Sequence, residues 1–164
     1  MITLRAIEPE DLELVYALEN DTATRTQTLS GTPISRYAVR RYLEESHSDL
    51  FADGEVRLVV EEEGRALGLV DLTSFDPVHS RAEVSIALLP KYRGQGYGLQ
   101  ALTTLADMAR SLRMHQLYAF VSEDNKASNS LFGRAGFTLT ACLTDWVKQD
   151  DTHYLTAHLW QKVL

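Results

Sequence analysis

Three glycines at alternate positions, Gly94, Gly96 and Gly98, follow a cation in the run Leu89-Pro90-Lys91-Tyr92-Arg93-Gly94-Gln95-Gly96-Tyr97-Gly98-Leu99. Glycine lets a backbone come close to a ligand, and the unpaired N–H groups at a helix start face an anion with the positive end of the helix dipole. Arg93 adds a fixed cation at the same place, so the chemistry on offer is the holding of phosphate. Two nucleotide readings fail on spacing. A dinucleotide fingerprint needs glycine three residues after Gly96, where Leu99 stands, and a Walker A loop needs Gly-Lys-Ser/Thr, which does not follow. What remains is Arg-x-x-Gly-x-Gly at Arg93, Gly96 and Gly98, either an anion turn or a structural tight turn into a helix.

The elements that would position this turn are readable from periodicity. Residues 2–7 alternate as a strand, with Ile2, Leu4 and Ala6 on one side. Pro9 opens a helix to Glu19 that places Leu12, Val15, Tyr16 and Glu19 at helical spacing. Residues 20–34 form a polar connection or a very short helix. Ser35 then caps a second helix with Val39, Tyr42 and Leu43 inward. Residues 56–62 and 66–73 read as strands joined at Glu63-Gly64, and residues 81–89 as a fourth, with Ala82, Val84, Ile86 and Leu88 alternating against Arg81, Glu83, Ser85 and Ala87. A helix over residues 98–112 carries Leu102, Leu105, Ala106, Ala109 and Leu112 on one stripe, and residues 117–121 are a buried strand. Asn125 caps a helix that ends at Ala135 before Gly136, and two last strands flank a polar turn at residues 148–151. The order β-α-α-β-β-β-α-β-α-β-β predicts a single α/β domain over residues 1–164, with a mixed sheet and helices packed on it.

A second motif follows the first. Asn125-Lys126-Ala127-Ser128, then Leu131-Phe132-Gly133-Arg134-Ala135-Gly136-Phe137, resembles the second cofactor motif of the GNAT N-acetyltransferase family, and the Arg93 turn resembles that family's coenzyme A pyrophosphate turn. The two occur in the family's order and at about its separation. Leu4-Arg5 with Glu10-Asp11-Leu12, and Gly68-Leu69-Val70-Asp71-Leu72, look like its opening elements and third strand. Arg81-Ala82-Glu83 looks like the fourth strand of its spermidine/diamine branch. The resemblance implies the acyl-CoA N-acyltransferase fold, a mostly antiparallel sheet of six to seven strands with helices on both faces. It also implies acetyl-CoA as cosubstrate and direct transfer to a primary amine.

An alkylammonium has a pKa near ~10.4, so a carboxylate acting directly or through water must take its proton. The resemblance puts Glu83 in that role, against the alternatives of a solvated strand residue or an ion pair with Arg81. It implies that the fourth strand splays from the fifth, that the Leu88 N–H polarises the acyl carbonyl, and that pantetheine hydrogen-bonds along Leu88 and Leu89. Arg93, Gly94, Gln95, Gly96, Tyr97 and Gly98 would hold the pyrophosphate. Asn125 would meet a pantetheine amide while capping its helix, and Ser128 would lie near the cofactor arm.

Phe132 departs from the pattern, because the family often has a tyrosine there whose phenol protonates the leaving sulfur. Water, Tyr97 or Ser128 would replace it, or the thiolate would leave unaided. Phe132 also supports a reading of another class, a non-catalytic acyl-CoA-binding sensor. A small polyamine is the first expected acceptor, with Glu44, Glu45, Asp71 and Glu83 as candidate carboxylates. A protein or peptide N-terminus and an aminoglycoside follow.

Composition narrows the rest. With 164 residues, 45% hydrophobic and 24% charged, the chain can bury a core without disulfide or metal. Net charge −7 argues against nucleic acid as partner. The longest apolar runs fall short of the ~20 residues a membrane span requires. The single cysteine, Cys142, reads as a small buried apolar residue and, without a recognisable leader, points to the cytoplasm. His47, His79, His115, His153 and His158 are scattered without metal-ligand spacing, so no metal is expected. His79 is placed where it could line an acceptor pocket. Trp146 and Trp160 are expected in core or homodimer packing.

Overall fold

The computed structural model describes residues 1–25, 32–46 and 49–164. Seven strands form one sheet in the order β1-β2-β3-β4-β5-β7-β6. They are β1 (Ile2–Ala6), β2 (Val56–Glu62), β3 (Arg65–Asp76), β4 (Arg81–Leu88), β5 (Gln116–Ser122), β6 (Thr138–Lys148) and β7 (Tyr154–Val163). Every neighbouring pair is antiparallel except β4 and β5. The helices are α1 (Leu12–Glu19), α2 (Thr22–Arg25), α3 (Arg36–Glu45), α4 (Leu50–Asp53), α5 (Tyr97–Ser111) and α6 (Lys126–Arg134). His47 and residues 26–31 of the polar connection lie outside the described residues.

Both sheet faces are covered, each for a reason visible in residue spacing. On one face α5 lays Ala101, Leu102, Leu105, Ala106 and Ala109 against Val60, Val70, Leu72, Val84 and Leu117, and α6 adds Phe132 and Ala135. On the other, α1 and α3 bury Leu14, Val15, Leu18, Val39 and Leu43 against Val59 and Leu69. The α1 stripe therefore lies one position from the expected one. Tyr16 is capped by the Arg36 guanidinium 3.9 Å from its ring, and Glu19 reaches Arg57. Leu112 falls beyond the end of α5 and is exposed, and Tyr42 lies near Arg57 rather than inward.

Two local devices shape the sheet. The β2–β3 hairpin turns at Glu63 and Gly64, with φ of 50° and 75°, the double left-handed geometry that matches strand twist. Past Thr73, β3 continues to Asp76 through a bulge at which Ser74 takes φ 52°. That bulge is why alternation alone predicts a strand ending at Thr73. At the N-terminus, Arg5 makes two 2.8 Å bonds to the Asp11 carboxylate, which also accepts from the Glu8 N–H. Asp11 is a buried acid, and this pair ties β1 to the start of α1.

Candidate functional site

The parallel pair β4–β5 is joined in register only at Arg81↔Gln116, Ala82↔Leu117 and Glu83↔Tyr118. Beyond Glu83 the strands part. Leu89 N donates to Leu67 O at 2.9 Å, and Arg93 Nε donates to Leu88 O at 2.8 Å. Because peptide groups alternate along a strand, Leu88 turns its N–H away from β3 toward the opening, where no strand stands opposite. Leu89, expected to bond pantetheine together with Leu88, has its own N–H engaged by Leu67 O beside β3.

The opening leads into a cleft of ≈ 360 Å³. Ile86, Ala87 and Leu88 form one wall, Gly94, Gly96, Gly98 and Leu99 a second, and Asn125, Ala127, Ser128, Ser130, Leu131 and Arg134 a third. Gly94 and Gly96 hold φ of 72° and 86°, which L side chains rarely adopt, and a Cβ at either would meet nothing within 4 Å. The turn is therefore open on the side where a side chain would stand. Gly96 is the N-cap of α5 and no side chain caps that helix, so its first amides remain for an anion. Gly98 is different, since a Cβ there would stand 3.1 Å from Leu131 Cδ2, and its role is to let α5 approach α6.

The side chains of the turn are tied to their surroundings. Arg93 lines the cleft beside the glycines, fixed by Asp21, whose Oδ2 lies 2.7 Å from Arg93 Nη2. Gln95 Nε2 donates to Lys91 O at 2.7 Å. The Tyr97 phenol hydrogen-bonds Glu62, which holds its pKa up. Gln95 and Tyr97 thus turn their side chains away from the cleft, and Tyr97 is not placed to replace a proton donor at position 132.

On the third wall, Asn125 Oδ1 accepts from Ser128 N at 3.1 Å and caps α6. Ala127, Ser130, Leu131 and Arg134 fall on one helical stripe facing the cleft. Arg134 is a cation that motif reading missed, although it stands seven residues, two helical turns, after Ala127 on the same stripe. Asn129 was also missed. Its Nδ2 donates to Ser122 O and Asn125 O, while its Oδ1 accepts from Trp160 Nε1 at 2.9 Å and from His158 Nδ1 at 2.8 Å. This fixes α6 to β7. Phe132 is buried, edge-on to Phe137 at 5.0 Å between centroids.

Glu83 sits on the sheet face opposite α5, half-buried, and burial pushes its carboxyl pKa up. Arg81 does not neutralise it, since that guanidinium lies 3.3 Å from Asp76. Tyr118, in register with Glu83, has its pKa raised by burial and by the Glu83 charge. Asp71, by contrast, is held bidentately by Arg57 at 2.9 and 3.1 Å, and Glu45 by Arg41 at 3.0 Å, so neither stands as a free carboxylate. His79 is exposed on the turn before β4, where its N–H donates to Asp76. Cys142 is exposed on the edge strand β6, contrary to expectation. Among the described residues, no cluster of three His, Cys, Asp or Glu is placed to hold a metal, and no helix is long and apolar enough to cross a membrane.

The acetyltransferase (GNAT) domain family matches residues 1–138 of this chain. The spermidine N(1)-acetyltransferase of Escherichia coli (strain K12) is 30% identical over 139 residues, 84% of this chain and 73% of that protein. Among solved structures, spermidine N-acetyltransferase from Vibrio cholerae in complex with CoA and spermine superimposes with a TM-score of 0.85 at 23% identity, covering 99% of this chain and 95% of that one. The Microcin C7 self-immunity acetyltransferase MccE, in complex with acetyl-CoA and AMP, does so with a TM-score of 0.85 at 20% identity, covering 99% and 92%. At these identities the structural likeness establishes the fold.

Proposed function

This chain belongs to the acetyltransferase (GNAT) family, and from that premise we propose that it acetylates a primary amine of a small polyamine such as spermidine, with Glu83 as the base. It is an N-acetyltransferase and acetyl-CoA is its acyl donor, supplying an activated thioester. The observation that carries the proposed chemistry is Glu83, a half-buried carboxylate that no cation pairs with among the described residues, at the point where β4 leaves β5. Polyamine as acceptor is supported by the spermidine N(1)-acetyltransferase relative.

The chain's own groups divide the work. The amides of Gly94 to Gly98 at the α5 N-terminus, with Arg134 across the cleft, hold the pyrophosphate; Arg93 acts by bracing that turn. Asn125, whose oxygen caps α6, offers its amide NH₂ to a pantetheine carbonyl, and Ser128 lines the arm. The Leu88 N–H donates to the acyl oxygen. Glu83 takes the ammonium proton directly or through water, and its raised pKa brings it closer to that of its donor. Phe132 carries no proton to give, and a thiol of pKa about 8.5 needs less help in leaving than an alkoxide. Ser128 or water is the donor within reach of the cleft. Cytoplasmic residence, supported by the lone exposed cysteine, and a homodimer complete the reading.

The test is CoA release from acetyl-CoA, by thiol titration, against spermidine, spermine, short peptides and an aminoglycoside, with a blank lacking acceptor. Turnover with spermidine above blank is expected. Turnover only with peptide or aminoglycoside would overturn the polyamine assignment and leave the transferase in place.

A further inference from the structure

Beside Glu83 the sheet carries a row of three aromatic rings. Tyr118 meets Phe120 edge-on, with centroids 5.8 Å apart and planes at 82°, and Phe120 stacks on Trp146 at 6.2 Å and 21°. Phe120 is 39% and Trp146 60% exposed. Trp146 belongs to β6, which is separated from β5 by β7, so a regular strand would not bring the two rings together. A bulge does. Leu143 pairs with Ala157 and Val147 with Leu155, leaving two extra residues on β6, and Asp145 within that bulge takes φ 54°. Bulges re-aim side chains, and a non-glycine residue held at positive φ is strain that its surroundings must support.

At the other end of the row is a second bulge of the same kind. Ser74 takes φ 52° in β3, where the pairing with β4 shifts register next to Glu83. Two strained bulges therefore flank one patch whose inner end is the Glu83 carboxylate. Among the described residues, cations lie over the rings of Tyr16, Tyr42, Tyr92 and Phe137, and over none of these three. The nearest strand neighbours on β7, Gln161 and Leu159, are uncharged. Electron-rich ring faces without a resident cation, in a protein of net charge −7, suit an alkylammonium arm with methylenes between its charges.

We propose that Tyr118, Phe120 and Trp146 form the acceptor-specificity wall, along which the non-reacting ammonium arm of the polyamine lies while its reacting amine meets Glu83. The inference rests on the polyamine reading above and adds the residues that select for a second positive charge. The bulge at Asp145 is then a device for carrying Trp146 across β7 to the end of the row.

Calorimetric titration of spermidine and of n-pentylamine into the CoA-bound protein tests this, for the wild type, Trp146→Ala and Trp146→Phe. Spermidine should bind the wild type more tightly than pentylamine. Its Kd should rise about fivefold to thirtyfold in Trp146→Ala and less than about threefold in Trp146→Phe, whose ring keeps a face for the cation. Thermal melting of the variants should match the wild type, since Trp146 is exposed. Spermidine that is acetylated but binds Trp146→Ala as it binds the wild type overturns the wall alone. Equal losses for spermidine and pentylamine overturn its cation selectivity. Spermidine that neither binds nor is acetylated overturns the polyamine reading and the wall with it.

Discussion

Arg93 Nε donates to the carbonyl oxygen of Leu88 at 2.8 Å, so the residue that opens the glycine turn is bonded to the last residue of β4. The same guanidinium reaches Asp21 at 2.7 Å, at the start of α2. The glycine turn proposed to hold the phosphates and the strand end proposed to meet the acyl group are thus held in one relation by a single side chain. Replacing Arg93 by Ala should raise the KM for acetyl-CoA about tenfold through loss of charge-assisted bonds of the usual strength. Asp21→Asn, which leaves the Leu88 bond in place, should raise it by less. Equal effects would mean that the Leu88 link is idle.

Glu83 should show itself in the pH profile. Burial raises its pKa, so the acid limb of kcat/KM should lie above the ordinary glutamate value of about 4.3. Glu83→Gln should lose about a hundredfold or more in kcat and should lack that limb. The stability sign is opposite. A carboxyl with a raised folded pKa favours folding below its unfolded pKa, and that contribution is lost as pH rises through the folded value. The glutamine variant should therefore melt slightly higher than wild type at pH 8. A lower melting temperature with unchanged kcat would assign Glu83 a structural role only.

Two glycines separate conformation from space. Gly96 has room for a side chain but holds φ 86°, so Gly96→Val should fold yet lose acetyl-CoA binding as the turn relaxes. Gly68 has no such room. A Cβ there would stand 2.2 Å from Ala87 O and 2.8 Å from Leu88 Cα, across the β3–β4 pair that carries the Leu88 amide. Gly68→Ala should cost about 3 kcal/mol or more in chemical denaturation. If Gly96→Val binds acetyl-CoA normally, the turn is not the anion cradle.

The Arg5–Asp11 pair should be felt in acid. Arg5 holds the Asp11 pKa below its ordinary range. The stabilisation is present above the unfolded value of about 3.9 and disappears as pH falls through the lower folded one. Asp11→Asn should lose about 2 kcal/mol at pH 7, because it removes the charge-assisted bonds to Arg5 and leaves that guanidinium with Glu61 as its remaining acidic partner. Its deficit relative to wild type should narrow toward pH 2. A deficit independent of pH would place the cost in packing instead.

Much of this was legible before any coordinates. The strand alternation around Glu83, the glycine turn and the Asn125 cap each depend on residues close together in sequence, where periodicity and backbone preference decide the outcome. What escaped was longer in range. Arg93 pairs with Asp21, 72 residues away, and Asp71 with Arg57 across a hairpin, so each cation or anion looked free on paper. Cys142 looked apolar enough to bury, but strand order rather than composition decided that β6 would be an edge. Trp146 was least legible of all, because its direction depends on a bulge that alternation does not announce.

Only three residue pairs connect β4 to β5. In mechanical terms the sheet is two plates, β1 to β4 and β5 to β7, with a short seam between them and a notch where the seam stops. A peptide-like arm lying in that notch, as proposed for pantetheine, would supply the rungs the ladder lacks and so act as a clamp between the plates. Coenzyme A should then raise the melting temperature in a concentration-dependent way and slow amide exchange in β5 from Ala119 to Ser122, on the far side of the notch from the bonds it makes. Cosubstrate binding and fold cohesion would be the same event seen from two sides.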